Sequence, residues 1–181
     1  QVLEHGLMQS SLEYWQGLLK HPPPPLNLKC NQIRRGHRRF LTSRYPIELD
    51  ESHFNAVQTT GAAEGCTNFM VLLTAVGIMA FLHFGIEDIG IGTFASNRRR
   101  KEIQETIGYF ANTVVIRIRL SSQLTLRNIL HQVRERVFEA LANEDVPYEH
   151  IARELEKTQK HPRDSYFQMI LNYSNSAYDR H

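Results

Sequence analysis

Cysteine is scarce in this sequence, and the spacings that bind metal ions are missing. The 181 residues include two cysteines, Cys30 and Cys66, which lie far apart in the chain. We interpret both as free thiols of a protein in the reducing cytoplasm, with a disulfide between them as the alternative. The 9 histidines occur singly, and neither an HExxH nor a CxxC spacing is present. The sequence therefore predicts no metal site.

Long apolar runs and a strong charge bias are also missing. The one membrane candidate, Phe69–Phe84, is shorter than the ~20 residues that a spanning helix needs and contains His83. A buried core helix is the better interpretation. Gln1–Ser10 has neither the basic start nor the apolar run of a secretory signal. The net charge of +2 is too small to indicate nucleic acid or an anionic membrane as a partner.

Motifs for nucleotide binding and nucleophilic catalysis do not occur. The sequence has no GxSxG elbow and no Walker loop. Gly90 and Gly92 lie within a predicted strand and no helix follows them, so they do not form a dinucleotide-binding turn. No spacing indicates a base beside Cys66, which we interpret as a small residue next to a helix.

Two predicted strands within Glu87–Leu120 form the centre of the fold. The second, Asn112–Leu120, alternates strictly between apolar residues on one side and Thr113, Arg117 and Arg119 with Val115 on the other. This period of two predicts a half-buried strand. The first strand, Asp88–Ala95, contains glycines, which favours a central strand that another backbone or a ligand approaches closely.

The remaining segments predict helices that cover this sheet. Asp50 and Thr67 are candidate helix caps, and Gly65 and Gly85 are candidate helix ends. Two further strands are predicted from alternation, at Arg38–Leu49 and at Phe167–Tyr173. The predicted helices are Ser11–Lys20, Glu51 to Gly65, Asn68–Phe84, Thr125–Ala142 and a last one entered through Pro147. Because Asn68–Phe84 is apolar nearly all round, we expect it to be buried between layers. The predicted class is α/β, a mixed sheet covered by helices in a single domain.

A basic run, Arg98-Arg99-Arg100-Lys101, connects the two central strands. A solvated charge cluster is one interpretation. A phosphate contact is the other, because Arg and Lys both hold phosphoryl groups. The residues themselves leave both open.

Four segments of the chain resemble, in the right order, motifs of the condensation domains of nonribosomal peptide synthetases, and a fifth segment upstream of them is also similar. The strand Asp88–Arg98 is similar to the family's D-I-x-x-G-T-P-x-x-x-R, and Ile107–Thr113 to its I-G-x-F-V-N-T. The remaining similarities are Asn143–Glu149 to H-Q-D-x-P-F-E, Arg163–Met169 to R-D-x-S-x-x-P-L-F-Q-V, and Tyr14-Trp15 to the Y-W before a proline-rich crossover, here Pro22–Pro25. The chain departs from the family at Phe94, Ala111, Asn143-Glu144 and Tyr166-Phe167.

The resemblance implies one lobe of a two-lobe fold like that of chloramphenicol acetyltransferase, with a substrate tunnel between the lobes. The family's catalytic HHxxxDG motif belongs to the first lobe, and this sequence has no adjacent histidine pair. We therefore expect residues 1–21 to be the end of the first lobe and a linker helix, and residues 22–181 to be the C-terminal lobe. Because Gln1 is not an initiator residue, we also expect the chain to be part of a longer polypeptide.

The resemblance further implies that Ser96, Arg98 and Asn112 line the substrate tunnel and that this chain holds no catalytic residue. Asn112 orients the substrate or caps the turn before its strand, and Arg98 is alternatively a salt-bridge partner at the lobe interface. The implied partners are the N-terminal lobe, peptidyl carrier domains and an adenylation domain. No cofactor is expected on the chain itself, because substrates arrive on phosphopantetheine arms of the carriers.

The implied activity is amide-bond formation between a carrier-bound thioester and an acceptor amine. A non-catalytic module that recruits a carrier or a tailoring enzyme is an alternative, as is an ester-forming relative. Because an isolated lobe exposes an apolar contact surface, we also expect the chain to self-associate.

Overall fold

The computed structural model describes residues 2–26, 42–98, 101–158 and 166–174, with the backbone alone at 2–7, 102 and 158. Its helices are α1 (Val2–Leu19), α2 (Glu51–Glu64), α3 (Asn68–Phe84), α4 (Lys101–Gln104), α5 (Leu126–Ala142) and α6 (Tyr148–Thr158). Its strands are β1 (Asp88–Ala95), β2 (Asn112–Arg119) and β3 (Met169–Ile170). The α/β class with a mixed sheet is confirmed.

The three strands form one sheet in the order β2-β1-β3. β1 pairs with β2 in antiparallel fashion, from Asp88 opposite Arg119 to Ala95 opposite Asn112. β3 pairs with β1 in parallel, with Ile91 opposite Met169. β1 is therefore central, as its glycines predicted. A Cβ at Gly90 would lie 2.7 Å from the carbonyl oxygen of Tyr166, so only glycine fits that close approach.

Helices α2 and α3 begin and end where their local sequences predict. The side chain of Asp50 accepts from the backbone N–H of His53, and that of Thr67 accepts from Met70. Gly65 and Gly85 close the two helices in the left-handed conformation, at φ values of 62° and 66°. Each cap satisfies backbone groups that a helix end otherwise leaves without partners.

The prediction that β2 is half-buried is wrong. Its central residues are buried on both faces, because α3 and α5 cover one face while α1 and α6 lie against the other. Gly77 of α3 packs against Ile118 on the first face. On the second face, Trp15 and Leu19 of α1 join the core, with 1% and 0% of their surfaces exposed. Each such burial stabilises the fold by about 1.5–3 kcal/mol.

Three other expectations need correction. No strand forms over residues 42–49, which are exposed; residues 38–41 lie outside the described residues. Pro46 has no N–H to donate to a strand ladder, which works against pairing there. Helix α3 is buried on one face only, since Leu82 is 71% exposed. The last strand is two residues long, Met169–Ile170, instead of spanning Phe167–Tyr173.

Within the described residues, no single helix has both the length and the apolar composition to cross a membrane. Helices α2 and α3 meet those two criteria only when they are taken together, across a bend of 106°.

Candidate functional site

The three predicted tunnel residues lie near one end of the sheet. Ala95 is paired with Asn112, so Ser96 leaves β1 at the same end of the sheet at which Asn112 enters β2. Asn97 follows with φ of 49°, a left-handed conformation that asparagine tolerates better than most residues. This turn takes the chain off the sheet and leads into Arg98. Ser96 is exposed at this end.

Arg98 organises the connection between β1 and β2. Its Nη1 donates to the carbonyl oxygens of Ile103 at 2.5 Å and Thr106 at 2.8 Å, and its Nη2 donates to Gly108 at 3.1 Å. Its guanidinium also lies 4.5 Å from the ring centroid of Phe110. A planar fork of several donors suits this role, which a lysine ammonium performs poorly. Arg98 is therefore not merely solvated; Arg99 and Arg100 lie outside the described residues.

Asn112 ties the start of β2 to the turn between α5 and α6. Its Nδ2 donates to the carbonyl oxygens of Glu144 and Val146, both at 2.7 Å. Its Oδ1 accepts from the backbone N–H of Tyr148 at 3.1 Å. The alternative of a cap on the turn before its own strand is wrong, because its partners lie 32 to 36 residues later in the chain.

The Tyr14-Trp15 pair of α1 contacts the same turn and the helix before it. Trp15 Nε1 donates to the carbonyl oxygen of Asn143 at 2.9 Å. Tyr14 lies against Glu139. Burial of the Tyr14 phenol raises its pKa most, and the negative charge of Glu139 raises it further. Sequence reasoning gave these two aromatic residues no role at the site, although they belong to one of the resembling segments.

The segment before β3 completes the junction. The backbone N–H of Tyr166 donates to the hydroxyl of Tyr148 at 3.1 Å. The ring of Phe167 packs against Tyr148 with centroids 5.2 Å apart, and the same ring occupies the space that a Cβ at Gly92 would need. Residues from all five resembling segments therefore meet at or beside the end of β1 and β2.

An ion pair holds the opposite end of the same strand pair. Arg117 Nε and Nη2 donate to the two carboxylate oxygens of Asp88 at 2.8 and 2.6 Å, and Nη1 donates to the carbonyl of Leu18 at 2.6 Å. The Arg117 side chain is 6% exposed, and this two-pronged geometry is the strong form of the interaction. The alternation of β2 predicts Arg117 on the less buried side of the strand. It is buried instead, and the carboxylate of Asp88 neutralises its charge there.

An apolar groove of about 280 Å³ adjoins the site. Its walls come from α3, α5, the sheet and the segment after β3. Four aromatic side chains line it, Phe69, Phe94, Phe138 and Tyr173. Phe94, the residue that departs from the family's proline, is 45% exposed at this position. No sequence pattern indicated the groove, because its walls come from segments distant in the chain.

Neither a metal site nor an activated thiol is present in the part of the chain that the structure describes. No group of three or more His, Cys, Asp or Glu side chains there is arranged to hold a metal ion. Cys66 is free, and burial raises the pKa of its thiol. A raised pKa disfavours the thiolate that a nucleophile requires, which agrees with its interpretation as a residue beside a helix. Cys30 lies outside the described residues.

Comparison with known proteins relates the chain to one family. The Condensation domain family matches residues 1–180. The chain is 33% identical over 173 residues to a linear gramicidin synthase protein of Brevibacillus parabrevis, covering 96% of this chain and 3% of that protein. It is 31% identical over 172 residues to malpinin synthetase of Mortierella alpina, covering 95% of this chain and 2% of that protein. The chain thus spans a small fraction of these relatives.

Solved structures share the fold. A four-domain nonribosomal peptide synthetase bound to AMP and glycine matches with a TM-score of 0.80 and 19% identity, over 93% of this chain and 13% of that one. The X-domain from teicoplanin biosynthesis matches with a TM-score of 0.76 and 22% identity, over 90% of this chain and 36% of that one. The first condensation domain of the CDA synthetase matches with a TM-score of 0.73 and 18% identity, over 92% of this chain and 35% of that one.

Proposed function

The chain belongs to the condensation-domain family, and we propose that it is the C-terminal, acceptor-side lobe of a nonribosomal peptide synthetase condensation domain. In the complete domain, an acceptor amine attacks the carbonyl carbon of a carrier-bound thioester. A C–N bond forms and the C–S bond breaks. The released thiol remains on the phosphopantetheine arm of the donor carrier, and the acyl group is now held as an amide on the acceptor.

The junction at the end of β1 and β2 is the observation that carries this proposal. Five segments that resemble family motifs converge there. The contacts of Asn112, Trp15 and Tyr148 join four of them, and the pairing of Ala95 with Asn112 adds the fifth. The sequence holds no adjacent histidine pair, which supports assigning the catalytic HHxxxDG motif to another lobe. The chain also corresponds to 35% of a solved condensation-domain chain, a share suited to part of such a domain.

Within the proposed tunnel, the three residues have different roles. The exposed hydroxyl of Ser96 borders the substrate path. Arg98 and Asn112 are positioning residues, because their hydrogen-bonding groups hold the connection before β2 and the turn before α6. A wall fixed in this way places an amine beside a thioester carbonyl, and orientation of that kind contributes much of the rate in acyl transfer.

The remaining parts of the proposal concern organisation. Residues 1–21 form the end of the first lobe and the linker helix, and residues 22–181 form the C-terminal lobe. The partners are the N-terminal lobe, peptidyl carrier domains that bear phosphopantetheine, and an adenylation domain. The protein works in the cytoplasm.

The complete coding sequence and an activity assay test this proposal. We expect the frame upstream of Gln1 to encode an HHxxxDG motif. We also expect the full-length protein, supplied with a thioester-loaded donor carrier and an aminoacyl-loaded acceptor carrier, to form the amide. The 181-residue chain alone should form none. An initiation codon directly before Gln1, or amide formation by the 181 residues alone, would contradict the lobe assignment.

A recruitment module is the second candidate, because a solved relative of the same fold is a complex of the X-domain and OxyB from teicoplanin biosynthesis, at a TM-score of 0.74 and 21% identity. In that case the full-length protein binds a tailoring enzyme and leaves both loaded carriers unchanged. The same assay therefore separates the two candidates.

A further inference from the structure

The apolar groove beside the tunnel residues has the chemistry of a side-chain binding site. Of the described residues that line it, none is charged, and most are aliphatic or aromatic. The polar groups at its walls are few, and the Oγ1 of one of them, Thr67, already accepts the N–H of Met70. Ligand pockets are typically apolar in this way, with a small number of polar groups that fix orientation.

The neutral lining selects against charge. A charged side chain that entered the groove would lose hydration without gaining a counter-ion, which is unfavourable in an apolar environment. An apolar side chain gains from the same transfer, since it leaves water for aliphatic and aromatic surface. The four rings that line the groove also offer edge-to-face contacts to an aromatic guest.

The volume fits a ring. An apolar cavity of about 150 Å³ takes up benzene, and this groove measures about 280 Å³. A phenyl, phenol or indole group therefore has room, whereas a small aliphatic group leaves much of the groove unfilled.

The groove lies next to the proposed tunnel residues along β1 and β2, although none of the three lines it. Phe94 lines it and precedes Ser96 by two residues. Phe94 is also paired with Thr113, the neighbour of Asn112. A substrate held beside Ser96 and Asn112 can thus extend its side chain past Phe94 into the groove.

We propose that this groove binds the side chain of the acceptor residue and that it favours an uncharged aromatic or large apolar side chain. The inference rests on the proposed function, because it takes the acceptor amine to be the group presented at Ser96 and Asn112. The groove then acts as a specificity element, while the bond-forming chemistry remains with the other lobe.

Competing acceptors test this inference on the full-length protein. Carriers loaded with phenylalanine, lysine or glutamate compete for one donor, and the amide products are counted by mass spectrometry. We expect phenylalanine to exceed each charged acceptor by at least about tenfold. Phe138 is 58% exposed at the groove, so Phe138→Lys should shift the ratio towards glutamate and Phe138→Glu towards lysine.

The matched controls are Leu126→Lys and Leu126→Glu, at a residue of α5 that is 58% exposed like Phe138 and does not line the groove. They should leave every ratio unchanged. Phe94→Glu is a second groove variant if either Phe138 variant unfolds. If the amide products form in equal amounts from all acceptors, the inference is overturned while the proposed function stands. The same holds if the ratios shift equally in the Leu126 and Phe138 variants.

Direct binding keeps the two claims separate. Saturation-transfer NMR on the full-length protein should detect L-phenylalaninamide and not L-lysinamide, with the phenylalaninamide signal lost in Phe138→Lys. If no amide forms with any acceptor, the proposed function fails, and this binding measurement still decides the groove. Absence of phenylalaninamide binding to the unaltered protein would overturn the inference even if amides form.

Discussion

At the scale of single residues, Asn112 shows how one amide can join distant segments. Both its donor and its acceptor functions are engaged, with two carbonyl oxygens and one N–H of the turn that leads into α6. Any replacement leaves at least one of these backbone groups without its partner in a half-buried position, and an unsatisfied group of that kind is costly.

We predict that Asn112→Asp lowers the free energy of unfolding by about 1–3 kcal/mol, because the new carboxylate faces two carbonyl oxygens and cannot donate to them. Urea unfolding measures the effect. Asn55→Asp, at an exposed position of α2, is the control for the added charge. Equal stabilities of the two variants would show that the contacts of Asn112 do not hold this junction.

Arg98→Lys is predicted to loosen the connection between β1 and β2. A lysine cannot span the carbonyls of Ile103, Thr106 and Gly108, so the connection opens more often while the core stays folded. Chymotrypsin should then cleave faster at Tyr109, which is 87% exposed. Arg119→Lys, at a side chain 70% exposed, should leave the cleavage rate unchanged. Identical cleavage in both variants would contradict this role.

At the scale of elements, ionic contacts join segments that the hydrophobic core also joins. Arg117 and Asp88 link the two central strands and reach the end of α1. Glu64, at the end of α2, accepts from Arg127 Nη2 at 2.7 Å and from His131 Nε2 at 3.0 Å, both on α5. The first pair lies at the sheet and the second at the surface, so their contributions should differ.

Arg117→Met is predicted to cost about 3 kcal/mol of unfolding free energy. It removes both close hydrogen bonds to the Asp88 carboxylate, which is 26% exposed and keeps only Arg119, at 4.0 Å. The double variant Arg117→Met with Asp88→Leu should regain much of that loss. Chemical denaturation of the single and double variants gives the coupling energy. Arg119→Met is the matched control and should cost less than about 1 kcal/mol; a similar loss there would contradict the prediction.

The Glu64 contact predicts an acid-sensitive contribution to stability. Hydrogen bonds from Arg127, and then from His131, hold the pKa of Glu64 below its ordinary value of 4.5. A lowered folded-state pKa stabilises the protein above the unfolded-state pKa, and this gain is lost as pH falls through the folded-state value. Glu64→Gln should therefore flatten the fall of unfolding free energy below pH 4.5. Glu135→Gln, at an exposed site on α5, should retain the unaltered slope.

Local sequence predicts the elements better than it predicts their surroundings. The limits of α2 and α3 follow from Asp50, Thr67, Gly65 and Gly85, because a cap depends on neighbours in the chain. The second buried face of β2 does not follow from its alternation, since what covers a strand is decided by helices far away in sequence. The failed strand over residues 42–49 had the right period, but the pattern took no account of Pro46 or of a pairing edge.

At the scale of the whole molecule, the candidate site could be predicted in part. The resembling motifs placed Ser96, Arg98 and Asn112 near one another, and the structure brings them to one end of the sheet. The contacts of Trp15 and Tyr148 arise only when the resembling segments meet. The apolar groove arises only when α3, α5, the sheet and the segment after β3 come together. The periodicity of a segment depends on that segment alone, so neither feature follows from it.

The chain also carries large exposed apolar side chains, which bear on its behaviour in solution. Leu82 is 71% exposed, Met79 43% and Phe84 49%, all on α3. We predict that the 181-residue chain self-associates, because exposed apolar surface seeks a partner. Sedimentation velocity should show a weight-average mass that rises with concentration. A strict monomer at high concentration would contradict the prediction, and Leu82→Lys should reduce the association.

The central claim is that this chain helps to present an acceptor amine to a carrier-bound thioester. Intact mass spectrometry of the acceptor carrier, after incubation of the full-length protein with both loaded carriers, tests it most directly. We predict that the acceptor carrier gains the mass of the donor acyl group while the donor carrier returns to its free thiol. An acceptor carrier whose mass stays unchanged, with both carriers still loaded, would contradict the account.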